Sequence, residues 1–130
     1  MTAKTPVNPW SWQDARGFTQ AWCVEGATTI VYVSGQVALD ADGNLVGAGD
    51  FEAQARQTFD NIGQVLAQAG ASFDDIVKLN VYLTDTANLP VLGRIKAGYI
   101  KGQQPASTAV GVTALAMPGL MLEVEATAVL

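Results

Sequence analysis

Pro105-Ala106-Ser107-Thr108-Ala109-Val110-Gly111-Val112 and Leu122-Glu123-Val124-Glu125-Ala126 read as two strands near the end of the chain. In the second, apolar Leu122, Val124 and Ala126 alternate with acidic Glu123 and Glu125. Successive side chains of a strand point to opposite faces, so the two carboxylates share one face with Met121 and Thr127. A cleft built around that face is the expected place for chemistry. Glu123 and Glu125 are both candidates for chemistry there, because carboxylates in clefts commonly do acid–base work.

Working back from these strands, Ile76 to Leu83 alternates, with Val77, Leu79, Val81 and Leu83 set against Lys78, Asn80, Tyr82 and Thr84. Thr28 to Val37 is β-branched or aromatic through Ile30-Val31-Tyr32-Val33, so both of its faces are expected to be covered. It ends in Ser34-Gly35-Gln36, and a glycine inside a strand predicts a bulge or a close backbone approach. Phe18 to Val24 is a further expected strand, and residues 1–17 are expected to be irregular around Pro6 and Pro9. Trp10 and Trp12 are expected to staple that segment to the body, or one of them to line a pocket.

Two helices lie between the strands. Asp50 is a suitable N-cap, and Phe51, Ala55, Phe59, Ile62, Leu66 and Ala69 then recur at spacings of three and four, ahead of Gly70. Glu52, Gln54, Gln57, Gln64 and Gln68 are expected in solvent. Pro90 suits the first turn of the second helix, whose inner face is Leu92, Ile95 and Tyr99; Gly93 and Gly98 weaken it. The order strand, strand, helix, strand, helix, strand, strand predicts an α+β fold: one mixed sheet with two helices on one face, a single domain over residues 1–130.

Composition limits the partners. Apolar residues make up 49% and charged residues 15% of the chain, which suits extra burial between subunits. The net charge is −5, and the seven Lys and Arg residues are scattered, so nucleic acid is not expected as a partner. No apolar run approaches the ~18 residues of a membrane span. The absence of a signal core and the single cysteine, Cys23, lead to a cytoplasmic expectation. Histidine is absent, which removes the commonest general base and, with one cysteine, most transition-metal sites. No metal and no cofactor are expected. Asp40-Ala41-Asp42-Gly43-Asn44 is a solvated turn rather than a calcium loop. Cys23 is expected to be a small buried apolar residue, and Arg16 a surface residue.

Several short motifs, in order, resemble the RidA/YjgF (Endoribonuclease L-PSP) family. They are Ser34-Gly35-Gln36, Gln54-Ala55-Arg56-Gln57 with Asp60-Asn61, Gly70, Asp75-Ile76-Val77-Lys78, Val81-Tyr82-Leu83-Thr84-Asp85, Pro105-Ala106 and Glu123-Val124-Glu125-Ala126. The resemblance implies a chorismate-mutase-like fold and a homotrimer with clefts between subunits. It also implies hydrolysis of reactive enamines and imines to a keto acid and ammonia. Carried over by position, Glu123 matches the glutamate that handles the attacking water, and Gly35, next to Ser34, the glycine whose backbone faces the ligand. Phe18 stands where the family often has tyrosine. Ser107 stands where deaminating members have an arginine that pairs with a substrate carboxylate. A serine is short and uncharged and cannot make that two-pronged pair, so amino-acid-derived imines are expected to be turned over poorly. Ser107 and Thr108 are instead expected to orient a small-molecule ligand through their hydroxyls.

Three functions follow. The first is a divergent hydrolase or deaminase of a small enamine- or imine-like metabolite, using Glu123. The alternative is a non-catalytic trimer that binds a small molecule or a partner in the same clefts. A ribonuclease is the weakest of the three, given the acidic chain and the missing histidine.

Overall fold

The computed structural model describes all 130 residues. Strand β1 (Ala3–Val7) pairs antiparallel with β2 (Ala21–Glu25), forming a two-stranded sheet of its own. Strands β3 (Ile30–Gln36), β4 (Ile76–Leu83), β5 (Ala106–Gly111) and β6 (Leu122–Val129) form a four-stranded sheet in the order β3-β6-β4-β5. The β4–β5 pair is parallel, and both pairs that include β6 are antiparallel. Helices α1 (Phe51–Gln68) and α2 (Leu89–Tyr99) follow β3 and β4 and pack together on one face.

The expected α+β layer with two helices is present, with two corrections. The mixed sheet does not include β2, which joins the hairpin with β1; just ahead of β2, Thr19 forms an isolated bridge with Ala106 of the larger sheet. Residues 1–17 are also not irregular throughout, because Ala3–Val7 is a strand. Pro6 is tolerated there because β1 is an edge strand with no second neighbour requiring its N–H. The hairpin is anchored at the start of β5: the Thr19 hydroxyl and the Trp22 indole N–H both donate to the Gln104 carbonyl, at 2.6 and 3.0 Å.

Helix α1 begins where Asp50 accepts a hydrogen bond from the Ala53 N–H at 3.1 Å, and its stripe of Phe51, Ala55, Phe59, Ile62 and Leu66 is buried. Against it lie Leu79, Val81 and Leu83 of β4 and Leu122, Val124, Ala126 and Ala128 of β6. Leu92 and Ile95 of α2 complete the core, and the Tyr99 ring stacks on Phe59 with centroids 5.3 Å apart. Burial and a hydrogen bond to Asp60 push the Tyr99 phenol up to about 12, so it stays protonated through the neutral range.

Gln54 departs from expectation. It is fully buried, because it sits three residues after Phe51 and so faces inward. Its amide donates to the Gly47 and Gly119 carbonyls, and its Oε1 accepts from the Met121 N–H at 2.9 Å. A buried amide is stable only when so paired. Here it ties the first turn of α1 to the residue that leads into β6, and so sets where Glu123 begins its strand.

The opposite face of the sheet is left open. Tyr32 is 78% exposed and Ile30 52% exposed, although both lie in the segment expected to be covered on both sides. No helix is long and apolar enough to cross a membrane.

Candidate functional site

The open face carries the acidic residues. Glu123 pairs in register with Tyr82, and Glu125 with Asn80, so the four side chains emerge on one side of β4 and β6. The Tyr82 hydroxyl donates to the Glu125 carboxylate at 2.7 Å, which is the main reason the Tyr82 phenol is raised from its ordinary value. Glu125 is therefore engaged in a cross-strand pair. Glu123 is half-buried and belongs to neither of the ion pairs in the chain, both of which join arginines to Glu52.

Glu123 rests instead on Gly35. Between Val33 and Gln36 strand β3 carries one residue more than β6, a bulge at Ser34-Gly35. The bulge brings the backbone of Gly35 against the glutamate: a Cβ there would lie 2.7 Å from Cδ and 2.9 Å from Cγ of Glu123. Glycine is thus required by a close approach, as the sequence suggested. Gly35→Ala is expected to cost about 1–3 kcal/mol of stability by overpacking. Denaturant unfolding checks this; a variant as stable as wild type would mean that the Glu123 side chain swings clear at no cost.

The other face of the sheet holds a second feature. A cleft of about 840 Å3 opens between α2, β5 and the turn around Arg16-Gly17. Ser107, Ala109, Val81, Phe18, Phe59 and Leu92 line it, with Lys96 and Gly93 on the helix side. Phe18 takes its place there because Trp12 packs edge-on against it (5.8 Å), and Trp10 stacks on Trp12. Both tryptophans are exposed and neither lines the cleft; they brace its wall. Arg16 is exposed, as expected, lies over the Trp12 ring at 5.8 Å and borders the cleft. Cys23 is exposed rather than buried, because β2 has only β1 as a neighbour.

The candidate residues therefore do not gather on one side. Ser107 is in register with Leu79 and faces the helix layer, where it lines the cleft with Phe18. Thr108 is in register with Asn80 on the open face and accepts a hydrogen bond from Lys78 Nζ at 2.9 Å. Adjacent strand residues point to opposite faces, so the two hydroxyls cannot orient one ligand within one chain. Glu123, Gly35 and Thr108 share the open side of the sheet, while Ser107 and Phe18 share the helix side. Ser34, in the bulge, is exposed.

Gln54 and Lys96 escaped the sequence reading. The stripe rule could have found Gln54, at i+3 from Phe51. Lys96 follows Leu92 by four residues and so falls on the inner face of α2, the one signal that it is not an ordinary surface lysine.

Comparison with known proteins gives consistent results. The Endoribonuclease L-PSP family matches residues 12–130. The chain is 40% identical over 100 residues to the 2-iminobutanoate/2-iminopropanoate deaminase of Mus musculus, covering 76% of this chain and 73% of that one. It is 34% identical over 102 residues to the 3-aminoacrylate deaminase RutC of Acinetobacter baylyi, covering 78% and 80%. Among solved structures, the Yersinia pestis protein YyfB, a Rid family protein of unknown function, superposes with a TM-score of 0.89 at 36% identity, over 98% of both chains.

Proposed function

Because the chain belongs to the Endoribonuclease L-PSP family, we propose that it hydrolyses a small enamine or imine in clefts between copies of the chain, assembled as a homotrimer. The observation that carries this reading is Glu123, a carboxylate outside every ion pair of the chain, packed against the backbone of Gly35 on an uncovered sheet face. Relatives named as deaminases of 2-iminobutanoate and of 3-aminoacrylate support the reaction class.

The chemistry requires little machinery. An enamine takes up a proton at carbon to become the iminium ion. Glu123 accepts a proton from water as the water oxygen attacks the iminium carbon, giving a neutral carbinolamine. That proton then goes to the carbinolamine nitrogen, the C–N bond breaks with release of ammonia, and the hydroxyl gives up its proton as the carbonyl forms. A carboxylate serves as base here because it is freed from competing partners.

Geometry within one chain supports the inter-subunit site. Glu123 and Ser107 face opposite sides of one sheet, so a site using both takes them from different copies. The exposed Ile30 and Tyr32 give the open face an apolar area suited to a neighbouring subunit. Ser107 has no charge, so the site works without an arginine at that position.

Complementation tests this reading. Glu123→Gln removes one half of the cleft and Ser107→Trp fills the other. Each is expected to be inactive alone, as followed by ammonia release from imines generated in situ, 2-iminobutanoate and an uncharged aliphatic imine. Co-refolded together, they regain part of the wild-type rate, because some interfaces then carry two intact halves. No recovery, or a particle of 13.6 kDa by light scattering, would overturn the inter-subunit site. Wild-type protein that accelerates neither imine would favour a non-catalytic assembly that binds a ligand in the same clefts.

A further inference from the structure

The Ser107 cleft contains a cation that no motif marks. Lys96 projects from α2 into a space walled by Phe18, Phe59, Val81 and Leu92. Its ammonium donates to the Gly17 carbonyl at 2.8 Å. An ammonium has three N–H donors, and no carboxylate lies in ion-pair range of this one, since both ion pairs of the chain are elsewhere. Of the other charged groups at the cleft, the Arg16 guanidinium is stacked on Trp12, and Asp14 accepts from the Gln13 amide.

Space has been left around this lysine. Gly93, one turn before it, lines the cleft, and a Cβ there would meet nothing within 4 Å. A helical side chain leans toward the N-terminus, so Lys96 extends over the Gly93 turn. The glycine that weakens α2 thus leaves the approach to the ammonium open. The volume of about 840 Å3 is within the range of roughly 300–1,000 Å3 typical of small-molecule sites.

We propose that Lys96 is the residue that receives the anionic end of the ligand in this cleft, which therefore takes a small carboxylate with an apolar body. The ligand's carboxylate meets the two unused ammonium donors, Ser107 lines the same cleft from β5, and the apolar part packs on Phe18, Leu89 and Ala109. Burial lowers the Lys96 pKa, which is the cost of holding a desolvated charge without a carboxylate partner. An arriving carboxylate removes that cost. A lysine binds as a single charged point rather than as a fork, so the anion is gripped less directionally than by an arginine. This inference rests on the cleft being the ligand site of the proposed hydrolase, and it supplies from α2 the charge that Ser107 lacks.

Binding to purified wild-type protein, read by calorimetry, tests it with 2-oxobutanoate and the uncharged 2-oxobutanamide as probes. Wild type is expected to bind the acid about tenfold or more tightly than the amide, the worth of a charge-assisted hydrogen bond. Lys96→Met keeps the stem and removes the charge; it should erase the difference while melting at or above wild type. Lys96→Arg should retain the preference, and Lys101→Met, on an exposed loop, should leave it unchanged. No acid–amide preference in wild type, no binding of either probe, or a preference that survives in Lys96→Met would overturn the proposal. Hydrolysis is read separately. A protein that hydrolyses imines without preferring the acid counts against Lys96 alone, and one that prefers the acid without hydrolysing counts against the reaction alone.

Discussion

Glu123→Gln is expected to lower imine hydrolysis by about 10²- to 10⁴-fold, the usual worth of a positioned general base. Glutamine has the same shape, so it fits against Gly35 where an added Cβ would not. The substitution breaks no ion pair, and the neighbouring Tyr82–Glu125 hydrogen bond stays in place. The fold should therefore survive, with a melting temperature near that of wild type, and the loss should appear in kcat. What disappears is the capacity to accept a proton from water, since an amide cannot serve as base. An unchanged rate would remove Glu123 from the reaction. A rate that falls together with the melting temperature would point to packing against the bulge instead.

Phe59→Ala is expected to remove about 3–5 kcal/mol of stability. Phe59 is 0% exposed, sits in the middle of the α1 stripe and stacks on Tyr99. It joins the two helices to each other and also forms the floor of the Ser107 cleft. Truncation leaves a cavity between α1, α2 and β4, where three rigid elements meet and cannot easily collapse. Against a total of about 5–15 kcal/mol for a typical domain, this is a large fraction. Urea unfolding would show a lower midpoint at constant slope. A loss below about 1 kcal/mol would mean that the helices close over the gap, which is inconsistent with close packing at this position.

Much of the scaffold was legible because its signals are local. The alternation in β4 and β6, the 3.6-residue stripe of α1, the Asp50 cap and the Gly35 bulge each depend on residues a few positions apart. The paired carboxylates on one face of β6 were readable for the same reason. β1 was not, because its partner β2 lies across the Pro9–Trp12 segment and its strand has no buried face. Gln54 was placed in solvent by its polarity, although its position on the helix put it inside.

Residue spacing by itself determined the two helices and the strands of the larger sheet, their faces, and that Glu123 and Glu125 stand together on one side of a strand. Tertiary structure alone decided that Ser107 meets the helix layer and Thr108 the open face, that Glu125 is engaged by Tyr82 while Glu123 stays out of every ion pair, and that Lys96 ends in the same cleft as Ser107. The physical reason is that periodicity orients a side chain relative to its own element. Whether a face meets another layer, another strand or open space depends on sheet register and on which helix crosses over it, and those are set by contacts between residues far apart in the chain.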